Sequence, residues 1–236
     1  ISIVALVTAA FVLKREPGKR DAFDIAGAAL LGIALFCFSL ALSRAHLWGW
    51  GSPATILVLA ASFASLALFI RTERLVGTPM LDLQMFANRR FAYSVAAAVL
   101  YFICYSAVVF VVPLAAQIAL GKNALQAGLL LLPISLMSIV LAPTAGALSD
   151  RIPARYISTF GACVFAAGAL FLALLPHQPA AWIIAAAVVV TGLGTSVFSQ
   201  PNNSTIMGSA PAHQRGVAAG ILATARTTGQ LLGVAV

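Results

Sequence analysis

The sequence predicts an all-α integral membrane bundle, and three observations predict it. Of 236 residues 61% are apolar and only 8% are charged, against roughly 25% charged in an ordinary soluble domain. The mean hydropathy is +1.02, too high for a chain with one or two spans. The apolar residues also fall in continuous runs between short charged loops, whereas barrel strands would alternate over ~10 residues. In lipid only helices and closed barrels satisfy every backbone group, so continuous runs read as helices. The same composition excludes a soluble globular domain, a disordered chain and a disulfide-framed secreted domain.

Eight apolar segments follow in order, each near the ~20 residues that cross a hydrocarbon core of ~30 Å. The first, residues 1–13, stops at Lys14 and Arg15. It lacks the basic leader and small-residue cleavage site of a signal peptide and reads as the tail of a transmembrane helix. The second and third cover about 25–42 and 54–70, joined by an outer loop whose Trp48 and Trp50 suit the headgroup belt. The fourth to seventh cover about 92–116, 126–148, 156–175 and 181–207, and the eighth runs from about 216 to the end. The loop 71–91 carries Leu81, Leu83, Met85 and Phe86 between charges. It reads either as an amphipathic piece in the interface or as a plain linker. Both ends of the chain lie in apolar runs, which predicts an internal stretch of a longer protein.

Charge sets the orientation. Lys14, Arg15, Lys19, Arg20, Arg71, Arg74, Arg89, Arg90, Arg151, Arg155 and Arg215 fall on one side, and only Arg44 and Lys122 on the other. By the positive-inside rule, loops 14–23, 71–91, 149–155 and 208–215 face the cytoplasm. The net charge of +8 is then a topological signal with some contact to anionic lipid heads, and no nucleic acid is called for. All six acidic residues lie on the cytoplasmic side, and none is expected deep in a span.

No hydrolytic or redox constellation emerges. Cys37, Cys104 and Cys163 fall singly in different spans, and His46, His177 and His213 fall in loops on both sides. Neither pattern has metal-ligand spacing, so no metal or cofactor is expected. Gly192-Leu193-Gly194 lies in a span without a preceding soluble strand, so helix packing accounts for it better than dinucleotide binding.

The strongest local signal is Gly146-Ala147-Leu148-Ser149-Asp150-Arg151-Ile152-Pro153-Ala154-Arg155. Glycine admits a neighbouring helix, and a carboxylate with two guanidiniums fills a very short cytoplasmic turn. Gly146, Asp150, Arg151 and Arg155 thus form a candidate gating latch between two orientations of the bundle; a solvated turn obeying the charge rule is the other reading. This turn resembles the cytoplasmic signature of the major facilitator superfamily, glycine-x-leucine-x-aspartate-arginine-x-glycine-arginine. Pro153 and Ala154 stand where that signature has a glycine and its neighbour.

Further blocks are similar to the fourteen-helix EmrB/QacA-type drug:proton antiporters. They are Phe23 to Gly27, the tryptophan-rich outer loop, Pro79 to Leu83 with Phe86, Asn88, Arg89 and Phe91, Leu125 to Gly128 with Leu132-Pro133, and Arg215-Gly216 with Gly220, Arg226, Gly229 and Gly233. The resemblance implies a fragment of roughly helices six to thirteen. Residues 1–13 would close an N-terminal bundle, 14–23 form a cytoplasmic linker, and 24–70 supply two extra central helices. Residues 71–91 would be a cytoplasmic loop and 92–236 a truncated C-terminal bundle.

Transporter chemistry is binding and gating, so polar residues at membrane depth come first. Arg226 follows the cytoplasmic loop by ~16 Å of helix, near mid-membrane. Its guanidinium serves either a water-filled cavity or backbone carbonyls. Ser94, Tyr101 and Tyr105 share one face of the fourth segment, Gln117 stands at that segment's outer end, and the seventh segment ends in Gln200-Pro201-Asn202-Asn203. Pro201 should kink the helix and free a carbonyl, with the amides satisfying it or lining the cavity mouth. These are the substrate-cavity candidates, each balanced by ordinary packing. Gly216, Gly220, Gly229 and Gly233 are candidate close-packing positions.

The implied activity is efflux of small lipophilic or cationic compounds from the inner (plasma) membrane, with lipid bilayer, substrate and protons as partners. A periplasmic adaptor is left open. Proton coupling comes from the resemblance alone, which puts the coupling carboxylate in a first bundle outside this chain. A transporter of a specific metabolite, a polytopic membrane enzyme and a non-transporting sensor remain as alternatives.

Overall fold

The computed structural model describes residues 24–75, 83–149, 152–176, 180–211 and 214–235. The segment 1–13 and the latch residues Asp150 and Arg151 therefore lie outside the described residues. Within them the chain is helical: α1 (Ile25–Trp48), α2 (Pro53–Leu75), a 3-10 turn (Leu83–Ala87), α3 (Arg89–Leu120), α4 (Ala124–Leu129), α5 (Leu132–Ser149), α6 (Ala154–Ala173), α7 (Ala181–Ser209) and α8 (Arg215–Ala235). Among the described residues six stretches are long and apolar enough to cross a membrane: α1, α2, α3, Ala124–Leu141, α6 and α7. Helix α8 is not among them, because Arg226, Thr227, Thr228 and Gln230 interrupt its apolar face.

Helix ends follow local chemistry. Asp24 caps α1, its Oδ1 accepting from the Gly27 amide at 2.9 Å. Gly49 closes the same helix at φ 88, a conformation costly for any side chain. Helix α2 runs past its apolar stretch to Leu75 and buries Glu73 to 4% exposure. The reading of Glu73 as a loop residue is thereby corrected: its Oε1 lies 3.5 Å from where a Cβ on Gly27 would stand. Two carboxylates thus gather at the first turn of α1, where the helix dipole favours negative charge. Asn88 caps α3 through the Arg90 amide at 3.0 Å. Asn123 and Gln126 form a reciprocal capping box on α4.

The fifth predicted segment is two helices. Pro133 has no amide hydrogen to continue the bonds of the preceding helix and suits the first turn of the one that restarts at Leu132. The chain turns instead through Leu131 N–H to Gly128 O and Ile134 N–H to Leu131 O.

Helices α6 and α7 pack most closely, followed by α3 with α8, α1 with α2, and α5 with α7. The α1–α2 hairpin reaches the remaining helices mainly through light contact of α1 with α8. Glycines set the close approaches. A Cβ on Gly161 would stand 2.5 Å from the Phe198 amide nitrogen, and one on Gly168 2.8 Å from that of Thr191. Gly192 meets the Ile134 backbone and Gly194 that of Phe165, so this glycine pair packs helices as its sequence context suggested.

Candidate functional site

The polar and aromatic groups converge where α3, α7 and α8 meet. Tyr101 of α3 is 7% exposed. Around it stand the rings of Phe198 at 4.5 Å, Phe165 at 5.0 Å, Phe102 at 5.2 Å and Tyr105 at 5.8 Å, the last nearly parallel. Tyr105 is half-buried and keeps part of its surface open. Offset and edge-on geometries of this kind add to plain area burial. The Tyr101 hydroxyl is buried and makes no hydrogen bond among the described residues, with Thr195 and Ser199 beside it. Thr195 donates instead to its own helix, to Thr191 O at 2.8 Å.

Arg226 projects from α8 over this group. Its Cζ lies 5.2 Å from the Phe102 ring centre, within cation–π range. The side chain is exposed on the open face of α8. Among the described residues it forms no hydrogen bond to a backbone carbonyl. Of the two roles open from sequence, a carbonyl clamp has no support among these residues. The α3–α8 contact that carries Arg226 is fixed by Gly229 and by Ser106. A Cβ on Gly229 would lie 2.8 Å from Val99 O, and Ser106 donates to Gln230 O at 2.9 Å.

The other candidates divide. Asn202, 4% exposed, donates to the Ser94 carbonyl at 3.2 Å and ties α7 to α3. Of the amides read as satisfying the carbonyl freed by Pro201 or lining the cavity mouth, Asn202 is committed to Ser94, Gln200 is exposed and Asn203 is half-buried. Gln117 stands apart, ~24 Å along α3 from Tyr101 at 1.5 Å per residue, with its amide bonded locally to Pro113 O at 3.3 Å. Gly229 and Gly233 press on the α3 backbone, but a Cβ on Gly216 or Gly220 would meet nothing within 4 Å. Close packing at those two positions is therefore corrected for the described residues. At the start of α6, Arg155 folds onto its neighbour, Nη2 donating to Tyr156 Oη at 2.5 Å with Cζ 4.4 Å from the ring centre. Gly146 lies near the end of α5, and a Cβ there would meet nothing within 4 Å.

A second feature is a cavity of about 560 Å³ on the C-terminal half of α3, between it and α6, lined by groups such as Val108, Val111, Leu172 and Ile184. Its walls carry no charged side chain, so it offers no handle for a polar ligand. No group of three metal-binding side chains forms among the described residues.

Sequence reasoning missed Phe102, Phe165, Phe198 and Thr195. Phe165 was findable: Gly161, Phe165 and Gly168 fall at spacings of four and three, one face of α6. Phe198 adjoins the polar tail of α7, but nothing in sequence marks its ring as facing Tyr101.

Comparison with known proteins identifies the family of the chain. Residues 1–234 match the family model of the Major Facilitator Superfamily. The uncharacterized transporter YebQ of Escherichia coli is 31% identical across all of this chain and 52% of its own length. The tetracenomycin C resistance and export protein of Streptomyces glaucescens is 29% identical across all of this chain and 44% of its own length. The multidrug resistance protein Stp of Mycobacterium tuberculosis is 27% identical, again over all of this chain and 44% of its own length. The chain spans about half the length of the curated relatives it matches.

Proposed function

From membership of the Major Facilitator Superfamily, to which this chain belongs, we propose that the protein is a secondary transporter exporting small lipophilic ring-bearing compounds. The observation that carries this reading is the Tyr101–Tyr105–Phe102 group with Arg226 beside it, a recognition surface at membrane depth with no metal-binding cluster among the described residues. Such a surface binds and releases; it makes no bonds. The export and resistance functions named for the tetracenomycin and Stp relatives support the same direction of transport. We read α1–α2 as two additional central helices and α3–α8 as part of a C-terminal bundle, in a plasma membrane with loops 149–155 and 208–215 cytoplasmic. The turn from Gly146 to Arg155 is the proposed gate, with Asp150 and Arg151 holding one orientation.

Export is proposed to run against protons. The whole protein in inverted vesicles should accumulate a fluorescent lipophilic substrate when the interior is acidified and lose the gradient-driven part when a protonophore is added. Flux that ignores the pH gradient sinks proton coupling. Flux confined to one polar metabolite favours the specific-transporter reading, and absence of flux for every compound tried sinks transport. Asp150→Asn should lower flux with little change in protein level. Full flux in that variant returns the turn to a plain solvated loop.

A further inference from the structure

We propose that the Tyr105–Arg226 face selects planar aromatic anions, compounds bearing a carboxylate or acidic phenol on fused rings, over cations of the same size. This rests on the reading of the face as a substrate surface and concerns the sign of charge it accepts. The sequence reading had lipophilic cations among the substrates, and the charge inventory argues otherwise. Residues 83–235 contain one carboxylate, Asp150, in the cytoplasmic turn. Helices α3, α5, α6, α7 and α8 carry none. Arg226 is the one charged side chain of these helices that lies away from a helix end. A cation stacked on Tyr105 would meet a like charge and find no counter-ion on these helices, in a medium where charges act more strongly than in water.

Geometry makes the complementary case. Tyr105 and Arg226 both lie against Phe102, its ring centre 6.4 Å from that of Tyr105 and 5.2 Å from Arg226 Cζ. Both groups are thus within the span of a fused two- or three-ring system that lies on the half-open Tyr105 and carries a charged substituent at its edge. Arg226 uses its face on Phe102 and makes no hydrogen bond among the described residues. Its edge donors remain for a bidentate contact with a carboxylate. Tyr101, Phe165 and Phe198 form the floor below, which fixes the Tyr105 ring. The apolar cavity on the C-terminal half of α3 offers no such charge and is not part of this site.

The test is equilibrium binding to the whole purified protein in nanodiscs, using anthracene carboxylate, its methyl ester, and the trimethylammonium-methyl analogue on the same rings. The carboxylate should bind about tenfold more tightly than either of the others, a difference of the size one well-made charged contact supplies. Arg226→Gln should weaken the carboxylate about tenfold and leave the ester unchanged, and Arg226→Lys should fall between. Equal affinities in the unmodified protein overturn the proposal without any variant, as does a preference for the ammonium compound or failure to bind any of the three. An equal loss for acid and ester in Arg226→Gln also overturns it, because the residue would then hold structure rather than read charge. Binding with this preference but no flux in vesicles sinks the export reading and leaves the charge assignment standing. Flux that favours the ammonium compound does the reverse.

Discussion

The α1–α2 hairpin and the α6–α7 pair meet the same requirement by different chemistry. Apolar helices in lipid gain nothing from excluding water from each other and must associate through close packing or polar links. The hairpin uses serines: Ser62 donates to Ala34 O and Ser65 to Leu30 O, both at 2.8 Å. The α6–α7 pair uses missing side chains, with Gly161, Gly168 and Gly194 letting backbone touch backbone. A hydroxyl bond tolerates small shifts of the partner helix. A backbone contact without a Cβ does not, since the atom that would have to yield is part of the neighbouring helix itself. The region around the candidate site is therefore built on the less forgiving device, and its rings inherit that rigidity. Phe165 and Phe198, which floor the site, stand directly opposite Gly194 and Gly161.

The largest expected effect breaks that device. Gly161→Leu or Gly194→Val should lower the folded protein's stability by ~1–3 kcal/mol, the range for overpacking a dense interior. The measurement is the melting temperature and monodisperse yield in detergent. Binding of aromatic ligands should fall with them, because Phe165 and Phe198 move with the backbone. An unchanged melting temperature in both variants would mean that α6 and α7 slide past each other freely, and the contrast with the hairpin would be lost.

The sequence made the helices legible because lipid leaves so few alternatives. Runs of apolar residues mark α3, α6 and α7 to within about four residues and end six residues short in α1 and five short in α2, and hydrophobicity needs no partner to be read. Boundaries moved where side chains rather than hydropathy decide them. Capping by Asn88 and Asn123 started helices before their apolar cores, and Pro133 split the fifth segment. Glu73 was misplaced for a related reason: hydropathy ends a helix at the first charges, whereas this backbone continues to Leu75 and packs the carboxylate against α1. The site was half legible. Arg226 and the Tyr101–Tyr105 face follow from charge and helical period. Their aromatic floor and the spread of roles among the amides depend on which helix faces which, and one sequence does not state that. The glycines obey the helical period more than their look-alike spacings. Gly216, Gly220, Gly229 and Gly233 stand at four-residue spacings within each pair, yet only the last two meet α3, because the nine-residue step from Gly220 to Gly229 turns the first pair to the exposed face while Ala218 and Ile221 take the buried one.

A middle-sized effect tests the link between α3 and α7. Asn202→Ala removes the donor to Ser94 O, a bond buried at one end. Its loss should cost ~1 kcal/mol, the net worth of an ordinary buried hydrogen bond. Asn202→Asp keeps the shape but replaces the donor with acceptors and should cost more. If Asn202→Ala melts with the unmodified protein, the bond adds nothing to the ring contacts of Tyr101 with Phe198 and Phe165 that already join α3 to α7 and α6.

The smallest expected effect is in the hairpin. Ser62 is 4% exposed and Ser65 7% exposed, so neither hydroxyl has water as an alternative partner. Alanine fits each space, and the carbonyls of Ala34 and Leu30 keep their ordinary helical bonds. No buried group is orphaned by the change, which is why the cost stays near the ~0.6 kcal/mol average for polar links between helices in membranes. The two serines lie on successive turns of α2 facing separate carbonyls, so Ser62→Ala and Ser65→Ala should each show a loss and the double variant a larger one. Hydrogen exchange of α1 and α2 amides in nanodiscs would report it locally, with faster exchange in the hairpin and no change in α6 or α7. A loss as large as that of Gly194→Val, or one spreading into α6, would show that the hairpin is as tightly geometry-bound as the glycine-packed pair, since hydroxyl loss alone cannot supply it.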